Sequence, residues 1–163
     1  MSNIKDRLSE ALEKKDEKEI LHLFQEVEEG ETEVSFLGNY LREVYKTFED
    51  KSLFIKLFTI LDEKFSSFDT YYAGEFLPVD CLIETKEYKL SLRILRKCED
   101  PNCSDCTPEW VYFYEGKCYY CLKDFDNARW RLLRSIDGDY DEMEREAREM
   151  IEKIDSLPIS ENP

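Results

Sequence analysis

The chain has 163 residues and a formal charge of −15, with 42% hydrophobic and 13% aromatic content. That length suits one domain or one helical array with a real core, and the apolar content excludes a disordered chain although 37% of residues are charged. So acidic a surface repels phosphate backbones and anionic lipid, so neither a nucleic-acid nor a membrane partner is expected.

Ile4, Leu8, Ala11 and Leu12 mark one face of a short first helix. Asp16 with Glu19 forms a capping-box-like start for a second, whose apolar set is Ile20, Leu23, Phe24 and Val27, with Gly30 at its end. Thr32 is placed to cap a third helix carrying Val34, Leu37, Leu41, Val44 and Phe48. A fourth carries Phe54, Leu57, Phe58, Leu61 and Phe65 at the same three-and-four spacing. Residues 69–77 are ambiguous, because Pro78 bars a straight helix from running through Cys81.

Residues 88–97, 108–122 and 125–136 then read as helices, with a loop at 98–106. The last helix runs from about 139 to 154. Its stripe is Tyr140, Met143, Ala147, Met150, Ile151 and Ile154, and Glu144/Arg148 and Glu149/Lys153 pairs lie four apart on its polar face. Strand signals are nearly absent, so the expected class is all-α.

Two segments repeat one another at an offset of 37 residues: Cys81 to Cys118, Tyr88 to Phe125, Ser91 to Ala128. Each reads as an apolar helix end, a Lys-acid-aromatic turn, a small residue three positions on, and a second helix ending in Leu95 or Leu132. Repeats of this period are the signature of stacked solenoids, in which each unit buries its apolar face against its neighbour.

The second copy resembles a tetratricopeptide repeat, a helix-turn-helix unit of about 34 residues. Tyr112 stands where the family places the opening aromatic, Gly116 at the close-packing small residue, and Tyr119 at the second large residue of the first helix. Asp124-Phe125-Asp126 matches the turn, with Ala128 and Leu132 at the small and large positions of the second helix. Tyr88, Ser91 and Leu95 hold the corresponding places in the first copy. Departures are Glu115 for Leu, Lys123 for the turn Gly, Ser135 for Ala, and no closing Pro. A narrower likeness, a helix ending in Leu and Cys followed by a Cys/Pro loop and an aromatic helix, is to the N-terminal repeats of tetratricopeptide subunits of the anaphase-promoting complex. The resemblance implies tetratricopeptide-like antiparallel helix pairs in a short superhelical array, acting as a non-catalytic scaffold within a larger complex. Residues 1–68 would form N-terminal helices, 69–155 two repeat-like units with a capping helix, and 156–163 a tail. In the family's geometry Trp110, Phe113, Lys117, Tyr120 and Cys121 line the concave groove, and their packing within the chain is the competing reading. The carboxylate-clamp pattern of chaperone-tail receptors is not matched, since Lys117 stands where that pattern wants Asn.

Cysteine is the strongest lure toward chemistry. Cys103-x-x-Cys106 and Cys118-x-x-Cys121 offer an alternative reading, a zinc-binding module in 98–121 flanked by helices. A helix over 108–122 would put Cys106 and Cys118 about 18 Å apart along its axis, so the helix and the zinc site exclude each other. The start Met1-Ser2-Asn3-Ile4-Lys5-Asp6 does not read as a signal peptide, so reduced thiols in the cytoplasm or nucleus are expected. His22, the only histidine, lies between Leu21 and Leu23 with no nucleophile in sequence reach. The carboxylates read as solvated helix-face runs such as Glu26-Val27-Glu28-Glu29 rather than as isolated acids in apolar settings, and no cofactor is expected. The expected partner is a protein or peptide with an apolar segment and basic flanks, or a second copy of the chain in a homodimer.

Overall fold

A computed structural model describes residues 3–28, 32–68, 77–99, 107–138 and 141–158. These contain nine α-helices and no strand: α1 Ile4–Glu13, α2 Glu17–Glu26, α3 Val34–Thr47, α4 Ser52–Lys64, α5 Val79–Glu84, α6 Tyr88–Lys97, α7 Glu109–Cys121, α8 Phe125–Ser135 and α9 Asp141–Asp155. None of them is long and apolar enough to cross a membrane. Pro78 acts as expected: it caps α5, which is only six residues long.

Three helix pairs, α1/α2, α5/α6 and α7/α8, are closed by one and the same turn. The N–H groups of Lys14, Lys15 and Asp16 bond to the carbonyls of Glu10, Leu12 and Ala11. Identical links recur from Thr85, Lys86 and Glu87 to Cys81, Ile83 and Leu82, and from Leu122, Lys123 and Asp124 to Cys118, Tyr120 and Tyr119. The middle lysine of each turn is left-handed, with φ of 52° at Lys15, 64° at Lys86 and 61° at Lys123. Asp16 and Asp124 then cap the next helix, accepting from the N–H groups of Glu19 at 3.1 Å and Asn127 at 3.3 Å. Glu87 makes no such cap. The turn seen twice in the sequence thus occurs three times among the described residues.

Other starts differ from expectation. Thr32 does not cap α3: Glu33 holds the cap position without a side-chain bond, and the buried Thr32 hydroxyl has no partner among the described residues. Gly30 and Tyr140 lie outside the described residues, as do 69–76 and most of the 98–106 loop, Cys103 and Cys106 included.

The principal helix–helix contacts all join helices one or two places apart in the order above. Lysines tie pairs together at helix C-termini, where carbonyls lack partners. Lys64 Nζ donates to the carbonyls of Gln25 and Val27 at the end of α2, and Lys97 Nζ to those of Asp62 and Phe65 at the end of α4. One apolar cluster runs from Leu8 through Phe24, Phe54, Phe58 and Leu95 to Cys118, crossing residue 68 without a break. A second joins Phe113, Ala128 and Leu132 to Ala147, Met150, Ile151 and Ile154 of α9. Full burial of each such aliphatic or aromatic side chain contributes about 1.5–3 kcal/mol, and this holds the pairs in place.

Candidate protein-interaction site

α7 and α8 pack closely because Gly116 and Ala128 remove side-chain bulk between them. Ala128, Leu132 and Leu95 are fully buried, Ser91 is sealed with its hydroxyl donating to the Glu87 carbonyl at 2.8 Å, and Tyr112 is nearly buried. Tyr88 and Tyr119 are half-buried against the main core, and an Arg96 N–H donates to the Tyr119 hydroxyl at 2.9 Å.

The aromatic residues of α7 divide between interior and surface. Phe113 is only 2% exposed, covered by α9, so it belongs to the core between α7 and α9 rather than to an open groove. Lys117 lies 5.3 Å from the Phe113 ring centroid and pairs with Glu146 of α9 at 2.7 Å. Trp110 is half-buried against the main core and meets Tyr114 edge-on at 6.4 Å, while Tyr120 meets Phe125 edge-on at 5.8 Å. Cys121 is exposed at the end of α7.

The exposed large apolar side chains lie elsewhere, at the α7–α8 turn and on α8: Leu122 at 39%, Leu133 at 43% and Trp130 at 47%. Trp130 stands edge-on over Tyr112, with ring centroids 6.0 Å apart and planes at 86°. The Arg131 and Arg134 guanidinium carbons each lie 4.7 Å from the Trp130 ring, and that of Arg134 lies 5.2 Å from the Tyr112 ring. Tyr112, Trp130, Leu133 and Arg134, with Thr107, Glu109 and Asp137, line a cleft of about 450 Å³. Sequence reading passed over this face. The signal was there: α8 spends Ala128 and Leu132 on α7, so Trp130 and Leu133 form a second apolar stripe that the pair itself does not need.

One acid of α7 departs from the expected solvated runs. Glu115 is 0% exposed, enclosed because α7 is apolar around nearly its whole circumference. Its Oε2 is 3.3 Å from Arg131 Nη1, which is 3.8 Å from Glu99 Oε1. Among the described residues, neither Glu115 oxygen nor Glu99 Oε1 accepts a hydrogen bond of good geometry. Burial first, and the neighbouring Glu99 carboxyl second, push Glu115 up to about 9, against the pull of Arg131. It is neutral at pH 7 and sealed from solvent, so it has no access to a substrate.

Cys118 is buried, and that burial is the leading cause that pushes its thiol up to about 12. Cys118 and Cys121 both lie on the continuous helix α7. Cys98 and Cys81 are likewise buried, at about 12 and about 11, with burial the leading cause in both. His22 is exposed and sits 3.3 Å from Glu26 Oε1.

Comparison with family models, with curated proteins and with solved structures found no match to this chain.

Proposed function

We propose that this chain is a non-catalytic protein-interaction module, a short tetratricopeptide-like array of antiparallel helix pairs that serves as a subunit or assembly piece of a larger complex. The thrice-repeated turn and the near-neighbour helix contacts support the array, since solenoid units contact only those beside them. The observation that carries the binding role is the exposed apolar face of Leu122, Trp130 and Leu133 beside the cleft over Tyr112. The partner is a protein segment with an apolar anchor and Lys or Arg flanks. The anchor enters against Trp130 and Leu133, and the flanks meet Glu109, Asp137 and the field of a chain of net charge −15. A second copy of the chain is the less favoured occupant, because two bodies of that charge repel.

The test titrates labelled peptides into the full chain, one set with Leu or Phe between lysines and the other with the same residues between glutamates. Lysine-flanked peptides should bind more weakly as salt rises, and Trp130→Ala with Leu133→Ala should remove the binding. Equal binding of both sets, or binding unchanged in the double variant, would overturn the assignment. Sedimentation of the chain alone reveals whether a second copy occupies the face instead.

A further inference from the structure

We propose that the corner between Trp130 and Tyr112 is a recognition site for an arginine side chain of the partner, a site that the chain's own Arg134 fills when alone. The site rests on the reading of α8 as the docking face and narrows the partner's basic flank to arginine. The two rings stand at 86° with centroids 6.0 Å apart, so one cation can meet both. The Arg134 guanidinium carbon does so, at 4.7 Å from the Trp130 ring and 5.2 Å from the Tyr112 ring. A corner that holds one guanidinium against two aromatic rings has the shape and the charge preference to hold another.

The corner is open to an incoming cation. The cleft of about 450 Å³ remains with Arg134 in place, and Trp130 is 47% exposed beside it. Glu109 and Asp137 line the cleft together with Arg134, so its carboxylates outnumber its guanidinium two to one. Arg131 also stacks on Trp130, yet its side chain is only 19% exposed and lies 3.3 Å from Glu115 and 3.8 Å from Glu99. Arg134 is therefore the guanidinium of the cleft itself. Arginine suits such a corner better than lysine does. A guanidinium is planar, weakly hydrated and stacks on aromatic rings, whereas an ammonium is a compact, strongly hydrated point charge. Leu133 lines the same cleft and gives the methylene stem of the incoming side chain apolar surface to cover. The partner's arginine replaces Arg134 against the rings, and the two carboxylates offset the second positive charge that the cleft then holds.

The experiment titrates N-acetyl-arginine amide into the labelled full chain at constant ionic strength. Nuclear magnetic resonance follows the indole N–H signals of the two tryptophans, which Trp110→Phe assigns. The citrulline and lysine counterparts are the uncharged and the ammonium controls. In Arg134→Ala the Trp130 signal should shift saturably with arginine, at an affinity about tenfold above that for citrulline or lysine. The parent should bind arginine roughly fivefold more weakly than Arg134→Ala, because its own guanidinium competes for the rings. In the parent, Glu109→Gln with Asp137→Asn should weaken arginine binding further, a comparison that stands even if Arg134→Ala fails to fold. No saturable shift, an equal response to citrulline, or an equal affinity for lysine would overturn the arginine site. Equal affinity of the parent and Arg134→Ala would overturn Arg134 as its occupant. The probe carries no apolar anchor, so its failure leaves the docking of peptides on Trp130 and Leu133 standing, and failed docking leaves the probe's result standing.

Discussion

Gly116 of α7 faces Leu132 of α8 so closely that a Cβ on Gly116 would stand 2.6 Å from Leu132 Cγ and 3.3 Å from its backbone nitrogen. The contact fixes the distance between the two helices and makes the first prediction. Gly116→Ala gains about 1 kcal/mol of helix propensity, yet must push Leu132 aside in a packed site at a cost of about 1–3 kcal/mol. The net effect is destabilising, and larger for Gly116→Leu. Thermal melts check this, and Ala128→Glu should behave likewise because Ala128 is fully buried.

The three left-handed lysines make the second. Glycine adopts that conformation without the Cβ penalty that Lys15, Lys86 and Lys123 bear. Lys86→Gly and Lys123→Gly should each raise stability by up to about 1 kcal/mol, read as a higher denaturant midpoint with unchanged slope. A lower midpoint in both would mean that the lysine side chains contribute more than the strain costs.

How much of this fold could be read in advance depended on which forces are local. The bounds of α6 and α8 followed from spacing and turn residues, and Pro78 shortened α5 by a local steric rule. The third turn, at Lys15, was hidden because no aromatic follows Asp16, although the backbone needs only the lysine and its acid cap. The role of Phe113 depends on where α9 lies, and no local pattern encodes that. Glu115 was readable as a departure from the repeat, but its burial appears only when α6, α7 and α8 come together.

The third prediction concerns pH. The folded state holds a proton on Glu115 up to about 9, far above an unfolded glutamate, so the stability it contributes is fully present below about 4.3 and is lost as pH rises toward 9. Asp62 has the opposite sign. Burial acts to raise it, but bonds from Arg93 at 2.6 Å and Lys97 at 3.1 Å outweigh that and hold it below the usual range. Its contribution is present above about 3.9 and is lost as pH falls through its folded value. Melts should therefore decline from about pH 5 to about pH 8, below the range in which unfolded thiols titrate. Glu115→Gln should flatten that decline, and Asp62→Asn should shrink the acid limb. A decline unchanged in Glu115→Gln would remove the assignment.

Thiol chemistry gives a fourth. Cys121 is exposed, whereas Cys81, Cys98 and Cys118 are buried with thiols pushed up by that burial. Among these four, brief alkylation followed by peptide mapping should label Cys121 first and Cys118 only on unfolding. Metal analysis of protein purified without chelator should find no stoichiometric zinc. Zinc released together with rapid Cys118 labelling would restore the zinc-module reading and break α7 as a continuous helix.

The fifth separates the two aromatic sets by stability. Phe113 is sealed between α7 and α9, so Phe113→Ala should cost about 3–5 kcal/mol, the range for truncating a buried aromatic. Trp130 is nearly half exposed, and its loss forfeits only the contact with Tyr112 and the two guanidinium stacks, so Trp130→Ser should cost about 1–2 kcal/mol. Leu133→Ser should be close to neutral. The order matters for function, because a residue that binds a partner must be removable without unfolding the chain. If Phe113→Ala instead melts like the parent while Trp130→Ser collapses the fold, then α9 does not cover Phe113 in solution. The aromatic groove of α7 would then replace the α8 face as the place where a partner docks.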